Sequence, residues 1–549
     1  MTTFYIQQFG CRATQADGAA LERQLLDRGC TRSSDPAAAG IVVLNTCTVT
    51  AAADAQARDA IRKIHAQNPD ARLIVTGCYA QRAPEEIAAL PGVNWVVGNS
   101  HKPQIPGLVD ALRTAPAAKP AVDSSAATSS NFFPTFALFQ DSAAPFHSFA
   151  GPQYVAPHLG KISSLDDSLD HAQILTGNIF NHPEFLSAPI QGGESQHTRP
   201  ILKIQDGCNN RCSFCVIPYV RGKSRSLGPD AVVREIQALV GQTSLSVVLP
   251  SERASSAVSS PLESAFLPVP GEPSHQPYAA REIVLSGINL GTYGRDLSPR
   301  VEFTDLIRRI LDETSVERLR ISSVEPLDVT QDLIDLFVST RRIAHHFHMP
   351  LQSASDPLLA AMHRWYRVEH YSLRVHLIHD RLPNAAIGAD VIAGFPSETE
   401  SDHAATLSFI ERHPFTYLHV FSYSPRPGTK AASLSHQVPG NVIKRRAREL
   451  RSLAEEKSAA FRRAQVGCTL RVLTLHRDER AGSECTPALS SNYLRVSVPG
   501  IFQSNLWQDV VITSEEGNYL VGKPTSTFSE SSVNSVLGVC PDRVGASSV

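Results

Sequence analysis

Six apolar runs return in order between residues 199 and about 425, each followed by a stretch of helical periodicity: LKIQ, EIVLS, RLRISS, HHFHMP, AIGADVIAG and YLHVFSY. Short apolar runs that alternate with helices pair as parallel strands, because each helix carries the chain back to start the next strand in the same direction. Six such units without a seventh and eighth predict an incomplete (β/α)6 barrel with its functional loops at the carboxyl ends of the strands. The start of the chain repeats the pattern with FYIQQF, IVVLN, RLIVT and WVV, which predicts a separate parallel α/β domain.

Around these regions the periodicity lapses. Residues 106–198 hold segments such as AVDSSAATSSNFFPTF and SAPIQGGESQ and read as a low-complexity insertion or linker. A second Ser/Pro-rich stretch, about 241–280, falls between the first helix and second strand of the barrel and reads as a surface insertion. The organisation is then α/β throughout its larger part: an N-terminal domain over 1–105, the insertion over 106–198, the barrel over 199–440, a basic linker helix over 441–465, a small all-β domain over 466–525 and a flexible tail over 526–549. The all-β expectation rests on LRVLTL, YLRVSV, DVVI and YLVGK, separated by Gly, Pro and Asn.

Six of the ten cysteines fall into two sets. DGCNNRCSFCVIPYVRG follows the first barrel strand and sets Cys208, Cys212 and Cys215 in a tight loop, so three thiolates converge on one metal centre. A cubane iron-sulfur cluster takes four cysteines, and only three are local, which leaves one iron open to a substrate or cofactor. Structural zinc is the alternative. It needs a fourth protein ligand, and the nearest later candidates are His275, inside the second insertion, and Cys468. Cys11, Cys47 and Cys78 are far apart in sequence, yet each follows a predicted strand, after FYIQQF, IVVLN and RLIVT. Loops at the carboxyl ends of neighbouring parallel strands meet at one edge, so these thiols converge as well. The plainer alternative is three small buried thiols. Clustered cysteines of this kind suit a reducing compartment, where thiolates bind metal instead of pairing as disulfides.

The second set resembles the radical-SAM superfamily, whose three-cysteine [4Fe-4S] cluster binds S-adenosylmethionine at its open iron; Phe214, between the last two cysteines, fits the same pattern. The resemblance narrows to the methylthiotransferase family through FGC at 9–11, LNTCTVT at 44–50, TGCYAQ at 76–81, EIVLSGINLGTYG at 282–294, RISSVEP at 320–326, HMPLQSASD at 348–356, DVIAGFP at 390–396 and FSYSPRPGTKAA at 421–432. It implies that Cys208, Cys212 and Cys215 hold the radical-generating [4Fe-4S] cluster. It also implies that Cys11, Cys47 and Cys78 hold an auxiliary [4Fe-4S] cluster carrying the sulfur, and that S-adenosylmethionine serves as methyl donor and as radical source. The C-terminal domain resembles the TRAM domain of RNA-modifying enzymes, with ALSSNYLRVSVPG its best match.

Within the family, CTVT, GCYAQ and GINLGTYG look most like the branch that places a methylthio group at C2 of N6-threonylcarbamoyladenosine, at position 37 beside the tRNA anticodon. Sister branches act on N6-isopentenyladenosine in tRNA or on a ribosomal-protein aspartate. A non-catalytic zinc-containing RNA-binding protein is the alternative outside the family. The partners implied are a tRNA anticodon stem-loop, an electron donor and a sulfur source, with the chain acting as a monomer. Ser286, Gly287, Ser323, Glu325, Gln352 and Asp390 match family motifs at the barrel strand ends and are candidates to bind S-adenosylmethionine. In QSAS, Ala354 stands where the family usually has Gly, which bears on the local backbone.

A formal net charge of −2 excludes a global positive field, so any RNA contact uses a local patch. Between Lys444 and Arg463 there are eight Lys/Arg and three Glu. Lys444, Arg445, Arg446, Arg448 and Arg451 are therefore candidates for phosphate contact, against the reading of a solvated helix face. No run of some 18 apolar residues and no secretory leader is present, so the expectation is a cytoplasmic protein without a membrane partner. Of His345, His346 and His348, alternation puts the last two on one strand face, which favours barrel lining or hydrogen bonding over a metal site. Cys30, Cys468, Cys485 and Cys540 have no cluster spacing and read as structural or incidental.

Overall fold

Strands β1 (Thr3–Gln8), β2 (Thr31–Arg32), β3 (Ile41–Thr46), β4 (Arg72–Gly77), β5 (Val93–Gly98) and β6 (Gln173–Leu175) form one parallel sheet in the order β2-β1-β3-β4-β5-β6. This is a computed structural model, and it describes residues 2–114, 172–182, 186, 188, 198–241, 279–477 and 484–525. The period-2 alternation sorts the side chains. Ile41, Val43 and Ile74 pack with Leu21 and Leu25 of helix Arg12–Asp27, whereas Val42, Leu44, Leu73 and Val75 face Ala57, Ile61 and Ile64 of helix Ala51–Gln67. β3 is buried along its whole length, as a central parallel strand covered on both faces must be.

The stretch 106–198 departs from the linker expectation at both ends. Helix Ile105–Thr114 packs Leu108, Val109 and Leu112 into the sheet core, and β6 extends the sheet beside β5. Leu186 and Ala188 join the same core. A three-residue strand is too short to announce itself by periodicity, which is why the sequence hides it. Most of the insertion, the interruption at about 241–280 and the tail from 526 lie outside the described residues.

The central region carries the six expected strands: β7 (Ile201–Lys203), β10 (Glu282–Ser286), β11 (Arg318–Ile321), β12 (His346–His348), β13 (Ala386–Ala393) and β14 (Tyr417–Ser422). β7, β10 and β11 pair in parallel, as do β12, β13 and β14. Parallel bridges Leu319↔Ile343 and Ser323↔His348 join the halves, giving an open six-strand barrel in chain order. A small antiparallel pair, β8 (Gln205–Asp206) with β9 (Arg225–Ser226), flanks the cysteine loop. Helix Gly440–Arg463 packs on β13 and β14, and β15 (Thr469–Thr474), β16 (Cys485–Ser490), β17 (Arg495–Pro499), β18 (Trp507–Glu516) and β19 (Tyr519–Pro524) close a five-strand barrel around Val472, Val498 and Val510. No helix among the described residues is long and apolar enough to cross a membrane.

Two buried charge networks fix these domains to one another. Helix Arg12–Asp27 lays Ala16 against Ile201 and Val284 of the barrel, and the next residue, Asp17, enters the same interface. Its carboxylate accepts from Lys102 (2.8 Å), from Lys203 and from Arg221 (3.1 Å), while Asp206 accepts from Lys203 (2.9 Å) and Arg221 (3.0 Å). Burial opposes ionisation of Asp17, but Lys102, Lys203 and Arg221 outweigh it and hold the carboxyl down to about 2. The second network joins barrel and C-terminal domain. Glu282, wholly buried, accepts from Arg199 (3.0 Å), Arg318 and Arg320 (2.8 Å). The spare guanidinium donors go to the backbone carbonyls of Leu489 (3.0 Å), Ser490 (2.9 Å) and Ser491 (3.0 Å).

Breaking a buried ion network by removing one partner strands the remaining charges, at a cost of about 3–5 kcal/mol. Glu282→Gln is accordingly expected to lower the unfolding free energy by that order, read from urea denaturation. Asp17 has an ordinary value of 3.8 and a folded value of about 2, so its contribution is complete above the former and is lost as pH falls through that window. Thermal melting should show the midpoint dropping on acidification across that interval, with a shallower slope in Asp17→Asn.

Candidate functional site

Cys11, Cys47 and Cys78 stand directly after β1, β3 and β4, three strands adjacent in the sheet. Cys11 caps helix Arg12–Asp27, and Cys78 opens helix Cys78–Arg82. Each triad also relies on glycine immediately before a cysteine. Gly10 has φ +92°, and a Cβ there would meet the Cys47 Sγ at 2.7 Å; Gly207 has φ +71°, and a Cβ there would meet the Lys223 carbonyl at 2.0 Å. Burial pushes the Cys47 thiol up to about 12, helped by the neighbouring Cys78 and Cys11. The Cys47 loop is pinned by Thr48, whose hydroxyl donates to Asp54 (2.6 Å) and accepts from Arg82 and Arg426 (2.8 Å each). Two motifs distant in sequence, CTVT and SPRPGT, therefore meet at one hydroxyl.

The second triad follows β8. Burial pushes Cys208 up to about 11 and Cys215 up to about 12, and it also raises Cys212 against the pull of Arg364. Arg364 donates to Cys212 Sγ at 3.3 Å and is ion-paired to Glu325. Phe214 packs edge-on against Phe395, ring centroids 6.4 Å apart.

The triads lie on opposite sides of one interface. Cys78 packs against Val216 and Val220, which follow the second triad, and Asn99 bridges the two by donating to Cys78 Sγ (3.5 Å) and to the Val220 carbonyl (2.8 Å). Arg221, buried in the Asp17 network, lies in the field of Cys11, Cys47 and Cys78. Lys102, Lys203 and Arg221 there engage Asp17 and Asp206.

These surroundings suit a cluster better than a single ion. Among the described residues only His348, Asp390 and His419 bring three ligand atoms within 4.8 Å of one another, so the sulfurs of neither triad do. Tetrahedral zinc, with Zn–S bonds near 2.3 Å, needs sulfurs about 3.8 Å apart. Around the second triad Asn289 Oδ1 and Arg364 Nε are buried without a protein partner, and around the first so are Asn99 Oδ1 and Arg221 Nε. Three thiols and orphaned buried polar atoms at each triad fit a cluster there. All six of these cysteines are free thiols, as are Cys30 and Cys485.

The other sequence candidates divide. Ser286 ends β10, and Gly287 lies against Gln205, whose Oε1 accepts from the amides of Ile288 (2.9 Å) and Asn289 (2.8 Å). Ser323 bridges to His348, and Gln352, at φ +62°, bridges to Val391. Glu325, raised by burial, is engaged by Arg364 beside Cys212. Burial opposes ionisation of Asp390, but His348 (3.0 Å) and His419 (3.3 Å) outweigh it and hold its carboxyl well below the usual range. His346 bonds the Tyr417 hydroxyl, so the histidines are lining and hydrogen-bonded, as expected. Ala354 is buried beside Thr406, which accepts nothing from it but a backbone amide hydrogen (3.1 Å).

The basic helix requires a correction. Arg446 is 3% exposed and donates to Glu398 (2.9 Å) and Glu400 (2.8 Å), because it lies on the face with Ala447 and Leu450 that packs on the barrel. It is not free for phosphate. Arg445 is exposed but paired with Glu400 and Glu449, whereas Lys444, Arg448 and Arg451 are exposed. Sequence reasoning also missed Arg364 and Asn99, which fall in no motif it singled out, while Arg221, Asn289, Thr48 and Arg426 were inside motifs but went unremarked.

Comparison with known proteins bears on this arrangement. Residues 3–98 match the family described as Uncharacterized protein family UPF0004. The chain is 29% identical over 90% of its length to the threonylcarbamoyladenosine tRNA methylthiotransferase MtaB of Aquifex aeolicus, covering 96% of it. It is 31% identical over 84% of its length to MtaB of Bacillus subtilis, covering 82% of that protein. It is also 28% identical over 89% of its length to the tRNA-2-methylthio-N(6)-dimethylallyladenosine synthase of Syntrophobacter fumaroxidans, covering 88%. With 31% identity to a relative over 84% of the chain and both cysteine triads at the strand ends where the motifs put them, this chain belongs to the methylthiotransferase family.

Proposed function

We propose that this protein is a radical-SAM methylthiotransferase that places a methylthio group at C2 of N6-threonylcarbamoyladenosine at position 37 of tRNA. The observation that carries the reading is the pair of three-cysteine sets facing each other across one interface, in a chain whose MtaB relatives bear that name. Cys11, Cys47 and Cys78 would hold one [4Fe-4S] cluster and Cys208, Cys212 and Cys215 the other, each leaving one iron without a protein ligand. When bound, the clusters and S-adenosylmethionine supply a sulfur to transfer and a carbon radical able to remove hydrogen from an unactivated ring carbon.

The chain's own residues prepare the ground for this. Arg221 and Arg364 each set a fixed positive charge beside a thiol-rich site, offsetting thiolate repulsion that burial otherwise magnifies. Asn99 and the Asp17 network fix the separation of the triads. Gln205 fixes the GINLG loop, and the Arg364–Glu325 pair orients Cys212. Lys444, Arg448 and Arg451 are the residues of the basic helix left for RNA phosphates.

Loss of the protein should abolish 2-methylthio-threonylcarbamoyladenosine in cellular tRNA, measured by nucleoside mass spectrometry. Loss of the 2-methylthio-isopentenyl form with the threonylcarbamoyl form unchanged would sink the substrate assignment. Anaerobically reconstituted protein should hold about eight irons, and Cys47→Ala or Cys212→Ala about four, with no methylthio product from either. Because burial raises the Cys47, Cys208, Cys212 and Cys215 thiols, loading should release protons in a lightly buffered titration. Arg448→Ala and Arg451→Ala should each weaken tRNA binding and reduce its salt slope by about one, in filter binding across a salt series.

A further inference from the structure

The barrel lumen beside the triads carries polar groups that cluster binding leaves unused. Tyr417 sets its hydroxyl between His346 Nε2 (2.7 Å) and His348 Nδ1 (2.9 Å), and His348 and His419 clamp Asp390. Tyr493, from the turn between β16 and β17, stacks on His346 with ring centroids 4.5 Å apart and lies 6.0 Å from the Tyr417 ring. Arg12, next in sequence to Cys11, reaches the same wall: its Nη2 lies 3.5 Å from the Tyr493 hydroxyl, and its charge acts on His346 and Tyr417.

Arg12, like the exposed Arg211 between Cys208 and Cys212, lacks among the described residues the carboxylate partner that other arginines around the triads have. Arg82 and Arg426 are matched by Asp54, Arg221 by Asp17 and Asp206, and Arg364 by Glu325. Arg12 has no carboxylate partner among the described residues, and Tyr493 is its one side-chain hydrogen-bond contact there. A cation held at the edge of a hydrogen-bonding lumen, beside a cysteine of the first triad, is placed to receive an anion.

Adenine C2 and N6 lie on the same edge of the base. A base that offers C2 to sulfur held at the first triad must bring its N6 substituent near the residue that follows Cys11. A threonylcarbamoyl substituent ends in a carboxylate and carries a hydroxyl and urea N–H groups. An isopentenyl group offers none of these and would leave Arg12 without an anion and the buried His346 Nδ1 without a partner.

We propose that Arg12 binds the carboxylate of the N6-threonylcarbamoyl substituent, with the His348–Asp390–His419 wall taking its hydroxyl and N–H groups, so that this lumen selects the substrate. The inference rests on the threonylcarbamoyladenosine reading above. It is tested with reconstituted protein and two synthetic anticodon stem-loops, one carrying threonylcarbamoyladenosine and the other its threoninamide analogue, by fluorescence anisotropy.

Wild-type protein should bind the acid roughly tenfold more tightly than the amide. Arg12→Gln should abolish that preference by weakening only the acid, and Arg12→Lys should restore part of it; iron content identifies any variant that has lost its clusters. In turnover, the Arg12→Gln defect should lie mainly in KM. Equal wild-type affinity for acid and amide overturns the proposal, as does an Arg12→Gln protein that keeps its irons and still discriminates. If wild-type protein instead converts an isopentenyladenosine stem-loop and not the acid, the substrate reading itself has failed.

Discussion

Asp17 is the group on which the geometry of this molecule turns. It sits on the helix that begins at the first cysteine, and it is bound by a lysine of its own domain and by a lysine and an arginine of the barrel. Apolar packing alone would let two domains slide, since its free energy depends on area more than direction. A buried carboxylate with three charged partners has few arrangements that leave nothing stranded. The position of one cysteine triad against the other is therefore set by charge. Ala16, Ile201 and Val284 supply the apolar contact around it.

The electrostatic balance of the two triads differs. Arg364 beside the second is matched by Glu325, so the protein there is close to neutral before anything binds. Beside the first, Arg221 lies in the field of Cys11, Cys47 and Cys78 and is shared between Asp17 and Asp206. Burial, with Cys78 and Cys11 beside it, raises the Cys47 thiol against the pull of Arg221, so that sulfur gives up its proton only to a bound metal centre.

Much of this was legible in the sequence. All six barrel strands and four strands of the first sheet appeared as apolar runs, because parallel strands buried on both faces are continuous in hydrophobicity. The convergence of Cys11, Cys47 and Cys78 followed from topology alone. What escaped detection was either short or relational. β2 and β6 span two and three residues, too few to show a period. Arg446 looked like its neighbours in a basic run, and only the register of the helix against the barrel shows that it faces inward. Arg364 and Arg12 gain meaning from residues more than a hundred positions away, Cys212 and Tyr493 among them.

The turn carrying Tyr493 alters how the chain's modules should be regarded. In sequence, the C-terminal β barrel looks detachable, joined by one helix. In the fold, its backbone carbonyls at 489, 490 and 491 complete the coordination of Arg318 and Arg320, and Tyr493 itself, at φ +65°, forms part of the barrel lumen. Recombination between relatives cannot treat this domain as a free cassette. A transplanted copy seats only if its turn offers the same carbonyls to the same arginines, so turn and barrel floor are inherited as one unit across the domain boundary.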